Sequence, residues 1–110
     1  MENLEKLFNE MFNLSKITNE AIDGAKAIIH NESLKADVLE AFDKIENIEY
    51  VFDCVVVVLN DSFRCNPFFR VKIVLIDVRD AKRKAWYDLE FNSKGEISDD
   101  FFDFFSICVH

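Results

Sequence analysis

Glycine and proline are scarce in this 110-residue sequence, which contains two glycines and one proline. Loops that cradle nucleotide phosphates need several glycines at fixed spacing, so nucleotide-dependent enzymes are disfavoured. Long apolar runs are also missing, and none approaches the roughly 18 residues of a membrane span. The first residues lack the charged-then-apolar pattern of a secretory signal. We therefore expect a cytoplasmic protein that does not enter a membrane.

Cysteine is too sparse and too scattered for a disulfide framework. The three cysteines, Cys54, Cys65 and Cys108, would leave at least one thiol unpaired, as is usual in a reducing cytosol. Cys54 and Cys108 lie in apolar runs and are interpreted as small core residues. Cys65 follows Arg64 in a predicted loop, where a bystander thiol is favoured over a nucleophile. Since the cysteines and two histidines match no zinc-ligand spacing, we predict no metal, no cofactor and no catalytic residue.

Basic residues are outnumbered, with 13 Lys and Arg against 21 Asp and Glu and a net charge of −8. This balance is unfavourable for holding phosphate backbones, so direct nucleic-acid binding is not expected. The charge is also uneven, because residues 88–110 contain six acids and one base. A negative field of this kind speeds encounter with a basic protein, although it also serves solubility.

Apolar residues at spacings of three and four predict an amphipathic helix over residues 2–14. We expect the polar interval 15–19 to break the chain, with Thr18 or Asn19 capping a second helix. A single helix over 2–29 is the alternative, since an internal glycine costs only about 1 kcal/mol.

A third helix is predicted to begin at Asn31 or Ser33 and to end near Asn47.

The periodicity then becomes that of strands, which are predicted at Tyr50–Leu59, Phe68–Val78 and Lys84–Phe91. The valine run of the first of these strands predicts a central strand that is covered on both faces. The third alternates cleanly and predicts a half-exposed strand. In the hairpin of the last two strands, we expect Lys72 to lie opposite Glu90.

The phenylalanine-rich end of the chain leaves two alternatives. Ser98 followed by two aspartates favours a short helix from Asp99 to Ser106, whereas the phenylalanines also suit a fourth strand. Helices followed by a meander indicate one α+β domain over residues 1–110. It would have two or three N-terminal helices packed on an antiparallel meander of three to four strands, with a short C-terminal helix or strand.

Acidic residues are the main site candidates. Asp53 and Asp77 lie in apolar strands, where solvation at a strand end or pairing with an arginine is favoured over a catalytic role. Trp86 falls on the polar face of its strand, so it either packs under a neighbouring element or anchors an interface. The predicted partner-binding residues are Glu96, Asp99, Asp100, Asp103, Trp86, Asp88 and Glu90.

The whole chain resembles the small immunity proteins of bacterial contact-dependent growth inhibition and related polymorphic toxin systems. The likeness lies in its size, its acidity, its Asn-, Ile-, Lys- and Phe-rich composition and its helices leading into a meander that ends with residues 86–97. We expect a non-enzymatic protein that is a monomer or weak dimer, and the resemblance implies a cytosolic inhibitor that binds one cognate toxin domain. That toxin is often a basic nuclease, and the inhibitor blocks its active site or substrate path.

Two alternatives remain from the residues. One is a small-ligand-binding or enzymatic domain with a pocket between a curved sheet and the helices, lined by Phe and Tyr side chains and one buried acid. The other is a self-associating subunit that uses its Phe-rich tail or a strand edge.

Overall fold

Helices precede a four-stranded antiparallel sheet in the computed structural model, which describes residues 2–59 and 67–105. The helices are α1 (Glu2–Phe12), α2 (Leu14–Ile29) and α3 (Lys35–Phe42), with 3-10 turns at Glu32–Leu34 and Ile45–Asn47. The strands are β1 (Ile48–Val58), β2 (Phe68–Asp77), β3 (Lys82–Asn92) and β4 (Ile97–Phe104), paired in the order β1-β2-β3-β4. The expected α+β architecture, with N-terminal helices packed on an antiparallel meander, is confirmed. None of the helices in these two ranges has the length and apolar character to cross a bilayer.

The first two helices are separate, as expected, but the break lies earlier than predicted. Asn13 adopts the left-handed conformation, with φ of 54°, and its side chain accepts a hydrogen bond from the backbone N–H of Lys16. Asparagine tolerates this conformation and supplies the capping oxygen, so it ends α1 and starts α2. The predicted break at 15–19, capped by Thr18 or Asn19, is therefore wrong.

The third helix is shorter than predicted. Asn31 caps a 3-10 turn that runs into α3, whose buried residues are Val38 and Phe42. The helix ends there because Asp43 takes a positive φ of 69°. The expectation that it continues to Asn47 is wrong, although Asn47 returns to the helix by donating its side-chain amide to the carbonyl of Phe42 at 2.8 Å.

The core lies between the helices and one face of the sheet. The alternation predicted for β3 is confirmed on this side, where its four apolar residues are all buried. The buried core residues of α2 and of the two middle strands are Ile17, Ala21, Ala25, Ile29, Phe69, Val71, Ile73, Leu75, Ala85, Tyr87, Leu89 and Phe91. Two alanines and Gly24 let α2 approach the sheet closely, because a Cβ at Gly24 would stand 2.9 Å from Cζ of Tyr87.

The valine-rich strand β1 is an edge strand rather than the predicted central one. Among the described residues it pairs only with β2, since the meander begins with it. Val56 and Val57 are consequently 46% and 49% exposed. Cys54, expected in the core, is only half-buried beside a bulge between Phe52 and Cys54. Cys65 and Cys108 lie outside the described residues.

The C-terminal segment forms the strand β4, so the preferred helix from Asp99 to Ser106 is wrong where the structure describes it. Gly95, with φ of 82°, turns the chain and β4 pairs antiparallel with β3. Pairing divides the phenylalanines between the two faces, and Phe102 and Phe104 pack against the core. A helix capped by Ser98 would have left the edge of β3 without these hydrogen bonds.

Candidate functional site

The face of β3 and β4 that points away from the helices forms the candidate site. The pairing of these strands sets Trp86 opposite Asp103, Asp88 opposite Phe101 and Glu90 opposite Asp99. Partners in register share a face, so these six side chains form two adjacent rows. We call this group, Trp86, Asp88, Glu90, Asp99, Phe101 and Asp103, the β3–β4 face.

Five of the seven sequence-predicted partner-binding residues meet on the β3–β4 face, and two do not. Asp100 points to the helix side, where its carboxylate accepts a hydrogen bond from the hydroxyl of Tyr87 at 2.9 Å. The pKa of Tyr87 is raised mainly by its burial and, to a smaller extent, by this hydrogen bond to Asp100. Glu96 lies in the turn before β4, where it accepts a hydrogen bond from the side chain of Asn92 at 3.1 Å.

Glu90 serves the sheet itself. It is 3% exposed, and Nε of Arg70 donates to its carboxylate at 3.0 Å. Ser98 donates to the same carboxylate at 3.0 Å from β4. The predicted pairing of Lys72 with Glu90 is wrong, because the register of β2 and β3 is shifted by two residues from the predicted one. Lys72 lies opposite Asp88, and Arg70 lies opposite Glu90. Opposite charges in adjacent strands stabilise either register, and the turn between the strands decides between them.

Asp88 is the less usual acid. It is 7% exposed, and one of its carboxylate oxygens, Oδ1, is buried without a hydrogen-bond partner. Burial raises the pKa of Asp88, and the nearby charges of Lys72 and Arg70 oppose that rise. With Asp88 and Glu90 both buried, β3 is less exposed than the half-exposed strand expected.

The aromatic residues of the β3–β4 face are each approached by a cation. Nζ of Lys72 lies 5.2 Å from the ring centre of Trp86, and the guanidinium of Arg70 lies 4.3 Å from that of Phe101. Trp86 is only partly buried, so it remains available on the face. Sequence reasoning missed Phe101 and Arg70, although the alternation of Asp99, Phe101 and Asp103 was a strand signal.

Asp77 is buried and paired with an arginine, which is one of the outcomes that the sequence favours for it. Its carboxylate is 0% exposed and accepts hydrogen bonds from Nη2 of Arg79 at 2.7 Å and Nζ of Lys84 at 2.6 Å. These bonds hold the pKa of Asp77 well below its ordinary value. Lys84 also donates to the carbonyl of Ala41 at 2.9 Å, so the cluster ties α3 to the sheet. The other candidate acid, Asp53, is exposed.

An apolar groove of about 740 Å³ lies between α1, the start of α2 and the C-terminal half of β1. Its lining is mainly apolar and includes Phe8, Met11, Phe12, Leu14, Phe52, Cys54, Val55, Val57, Leu59, Pro67, Phe68, Phe69 and Ser93. Phenylalanines line it as the pocket alternative expects, but the described side chains of its wall include neither a tyrosine nor an acid. Asp77 lies at the opposite end of β2 from Phe69.

Within the two described ranges, no three His, Cys, Asp or Glu side chains are arranged to hold a metal ion. Comparison with protein-family models, curated proteins and solved structures finds no significant match to the chain.

Proposed function

We propose that this protein is a non-enzymatic acidic binding protein whose β3–β4 face docks on a basic protein. The observation that carries the proposal is the grouping of Trp86 and Phe101 with Asp99 and Asp103 on a sheet face that the described helices leave uncovered. Protein interfaces are enriched in aromatic residues at their centre, and a charged rim speeds encounter with a partner of opposite charge. Both features are present on this face.

The partner class follows from charge. The chain has a net charge of −8, and Asp99 and Asp103 are exposed on the face. A protein evolved to hold a phosphate backbone carries the complementary positive surface. An acidic protein that covers that surface excludes the nucleic acid. In keeping with the resemblance of the chain, we infer that it is an immunity protein, acting in the bacterial cytoplasm, that neutralises a cognate toxin with a basic nuclease domain by blocking its active site or substrate path.

A growth assay tests the proposal directly. The carboxyl-terminal domain encoded by the neighbouring upstream gene is expressed alone and together with this protein. We expect the domain to arrest growth alone, and the two proteins to purify as a complex when they are expressed together. If the domain arrests growth equally in both cases and no complex forms at micromolar concentration, that pairing and the proposal built on it fail.

Matched charge reversals locate the surface. The double variant Asp99→Lys and Asp103→Lys should slow association by about tenfold or more at low salt, because steering by complementary charge has been reversed. The control, Asp23→Lys with Glu40→Lys, changes the net charge equally at exposed positions of α2 and α3. An equal effect of both pairs on the association rate would remove the β3–β4 face as the docking surface.

The anchor role of Trp86 has a different kinetic signature. Trp86→Ala should leave the association rate nearly unchanged and speed dissociation by about thirtyfold or more, as expected for a buried aromatic at an interface centre, where the cost is about 2 kcal/mol or more. Since Trp86 is the sole tryptophan of the chain, its fluorescence also reports contact with a tryptophan-free toxin variant. An unchanged dissociation rate would argue against this anchor.

A further inference from the structure

The carboxylate of Asp88 contains a buried oxygen that lacks a donor. The residue is 7% exposed, and within the described part of the chain its Oδ1 atom is buried without a hydrogen-bond partner. An unpaired acceptor of this kind is costly in a folded protein and calls for an explanation. The neighbouring acid Glu90 differs, because Arg70 and Ser98 both donate to its carboxylate. Asp88 therefore lacks a donor that the fold gives to Glu90.

The bond that Glu90 receives shows which kind of donor suits this face. The guanidinium of Arg70 donates from Nε to the carboxylate of Glu90 at 3.0 Å, and it lies 4.3 Å from the ring centre of Phe101. A carboxylate and an aromatic ring thus hold one guanidinium together. Arginine suits such a place because its planar group stacks on aromatic rings, donates several hydrogen bonds and is more weakly hydrated than an ammonium group.

Asp88 and Trp86 form a second pair of carboxylate and ring on the same face. They are two residues apart on β3, so their side chains are neighbours. Lys72 of β2 lies opposite Asp88, but its Nζ stands over the Trp86 ring, 5.2 Å from the ring centre, and is not bonded to the buried oxygen. The compact ammonium group of a lysine serves the ring or the acid, whereas a guanidinium can serve both at once, as that of Arg70 does.

We propose that Asp88 and Trp86 together receive an arginine side chain of the basic partner. The guanidinium displaces Lys72 from the ring of Trp86, stacks in its place and donates to the buried oxygen of Asp88. The arginine belongs to the partner of the proposed function, on which this inference rests. It names the side chain by which the β3–β4 face recognises that partner, and arginine is among the residues enriched at interface hot spots.

Charge and ligand number favour this occupant over a second copy of the chain or a metal ion. Two copies with a net charge of −8 repel each other, whereas a basic partner is attracted to the exposed Asp103 opposite Trp86. A metal ion needs several ligands, and across residues 2–59 and 67–105 no three suitable side chains are arranged to hold one. An arginine needs one acceptor and one ring, and both are present.

Titration with N-acetyl-arginine amide, followed by nuclear magnetic resonance at constant ionic strength, tests the site on the isolated protein. Trp86 is the sole tryptophan, so its indole N–H gives one signal, and the backbone amide of Asp88 gives a second. N-acetyl-citrulline amide has nearly the same shape without the charge, and N-acetyl-lysine amide has the charge without the planar group. We expect saturable shifts of both signals, with a dissociation constant at least about tenfold higher for citrulline and severalfold higher for lysine.

A matched pair of variants separates the buried acceptor from the local charge. Asp88→Asn removes the ionised acceptor, and Asp53→Asn removes the same charge from an exposed position of β1 that also acts on Asp88. We expect Asp88→Asn to weaken arginine binding at least about tenfold, and Asp53→Asn to weaken it less than about twofold because an exposed charge is screened. The urea midpoint of Asp88→Asn at pH 7 should not fall below that of the parent, so its loss of binding is not a loss of fold.

Three results would overturn the proposal. Equal shifts with arginine and citrulline, or no shift of either signal at about 100 mM arginine amide, would remove the site. Equal losses from Asp88→Asn and Asp53→Asn would reduce the interaction to local charge. Sedimentation of the parent as a dimer that Asp88→Asn dissociates would assign the site to an arginine of a second copy. The titration uses no toxin, so its failure leaves the growth assay and the charge reversals at Asp99 and Asp103 standing, and their failure leaves the titration standing.

Discussion

Replacing Gly24 by alanine tests how closely α2 packs on the sheet. At an ordinary helix position the change stabilises a protein by about 1 kcal/mol, because glycine loses more backbone entropy on folding. Here the new Cβ would lie 2.9 Å from Cζ of Tyr87 and closer still to its hydroxyl oxygen. Tyr87 is 1% exposed and bonded to Asp100, so its ring has little freedom to withdraw.

The expected magnitude follows from the two opposing effects. Inserting a methyl group into a packed site costs about 1–3 kcal/mol, which offsets the propensity gain of about 1 kcal/mol. We therefore expect Gly24→Ala to change the free energy of unfolding by between about zero and a loss of 2 kcal/mol. The reference is the exposed Ala27 of the same helix, where Ala27→Gly should cost the ordinary 1 kcal/mol or so.

Urea unfolding followed by circular dichroism and by Trp86 fluorescence measures both changes. In a Tyr87→Phe background the closest atom is gone, so the penalty for alanine at position 24 should shrink, and a double-mutant cycle gives the coupling. A stabilisation of about 1 kcal/mol by Gly24→Ala in the parent protein, with no coupling to Tyr87, would refute the close approach of α2 to the sheet.

Two further predictions concern buried acids. Asp77 has a lowered pKa, so its ionised form stabilises the fold above the unfolded pKa near 3.9, and this contribution is lost as the pH falls through the lower folded pKa. Asp77→Asn should therefore lower the urea midpoint at pH 7, with the difference from the parent vanishing in acid; a difference independent of pH would contradict the ion cluster. Asp88 has a raised pKa, so the parent should lose stability as the pH rises from about 3.9 through the folded pKa. Asp88→Asn should remove that loss and raise the midpoint at pH 7, and a lower midpoint there would show that Asp88 is paired after all.

The order and type of most elements could be predicted, because periodicity reports which face of an element is buried. The alternation around Tyr87 and the turn at Gly95 are local signals, and they were sufficient to predict strand β3 and the turn that follows it. The break at Asn13 was missed because capping and left-handed geometry depend on one residue among several polar candidates. The helix expected from Asp99 shows more clearly how tertiary contacts override local sequence signals. Ser98 and two aspartates favour a helix start locally, but the open edge of β3 offers strand pairing that local sequence cannot register.

Burial was harder to predict than secondary structure. A run of valines is compatible with a central strand, yet the position of β1 in the sheet follows from topology, and as the first strand of a meander it forms an edge. The acids of β3 show the converse. Asp88 and Glu90 alternate with apolar residues, a pattern typical of an exposed face. In the fold, Glu90 is paired with Arg70 of β2, and Asp88 lies between Lys72 of β2 and Phe101 of β4. These neighbours are residues far away in the sequence.

The bond from Lys84 to the carbonyl of Ala41 has a consequence for how the molecule opens. Within α3 only Val38 and Phe42 are buried, so this short helix is held by two side chains and by the cluster around Asp77. Segments with few buried contacts open before the rest of a protein unfolds. Asp77→Asn, which removes the carboxylate from this cluster, should thus release α3 first, and the α3 amides should exchange with deuterium while the strands stay protected.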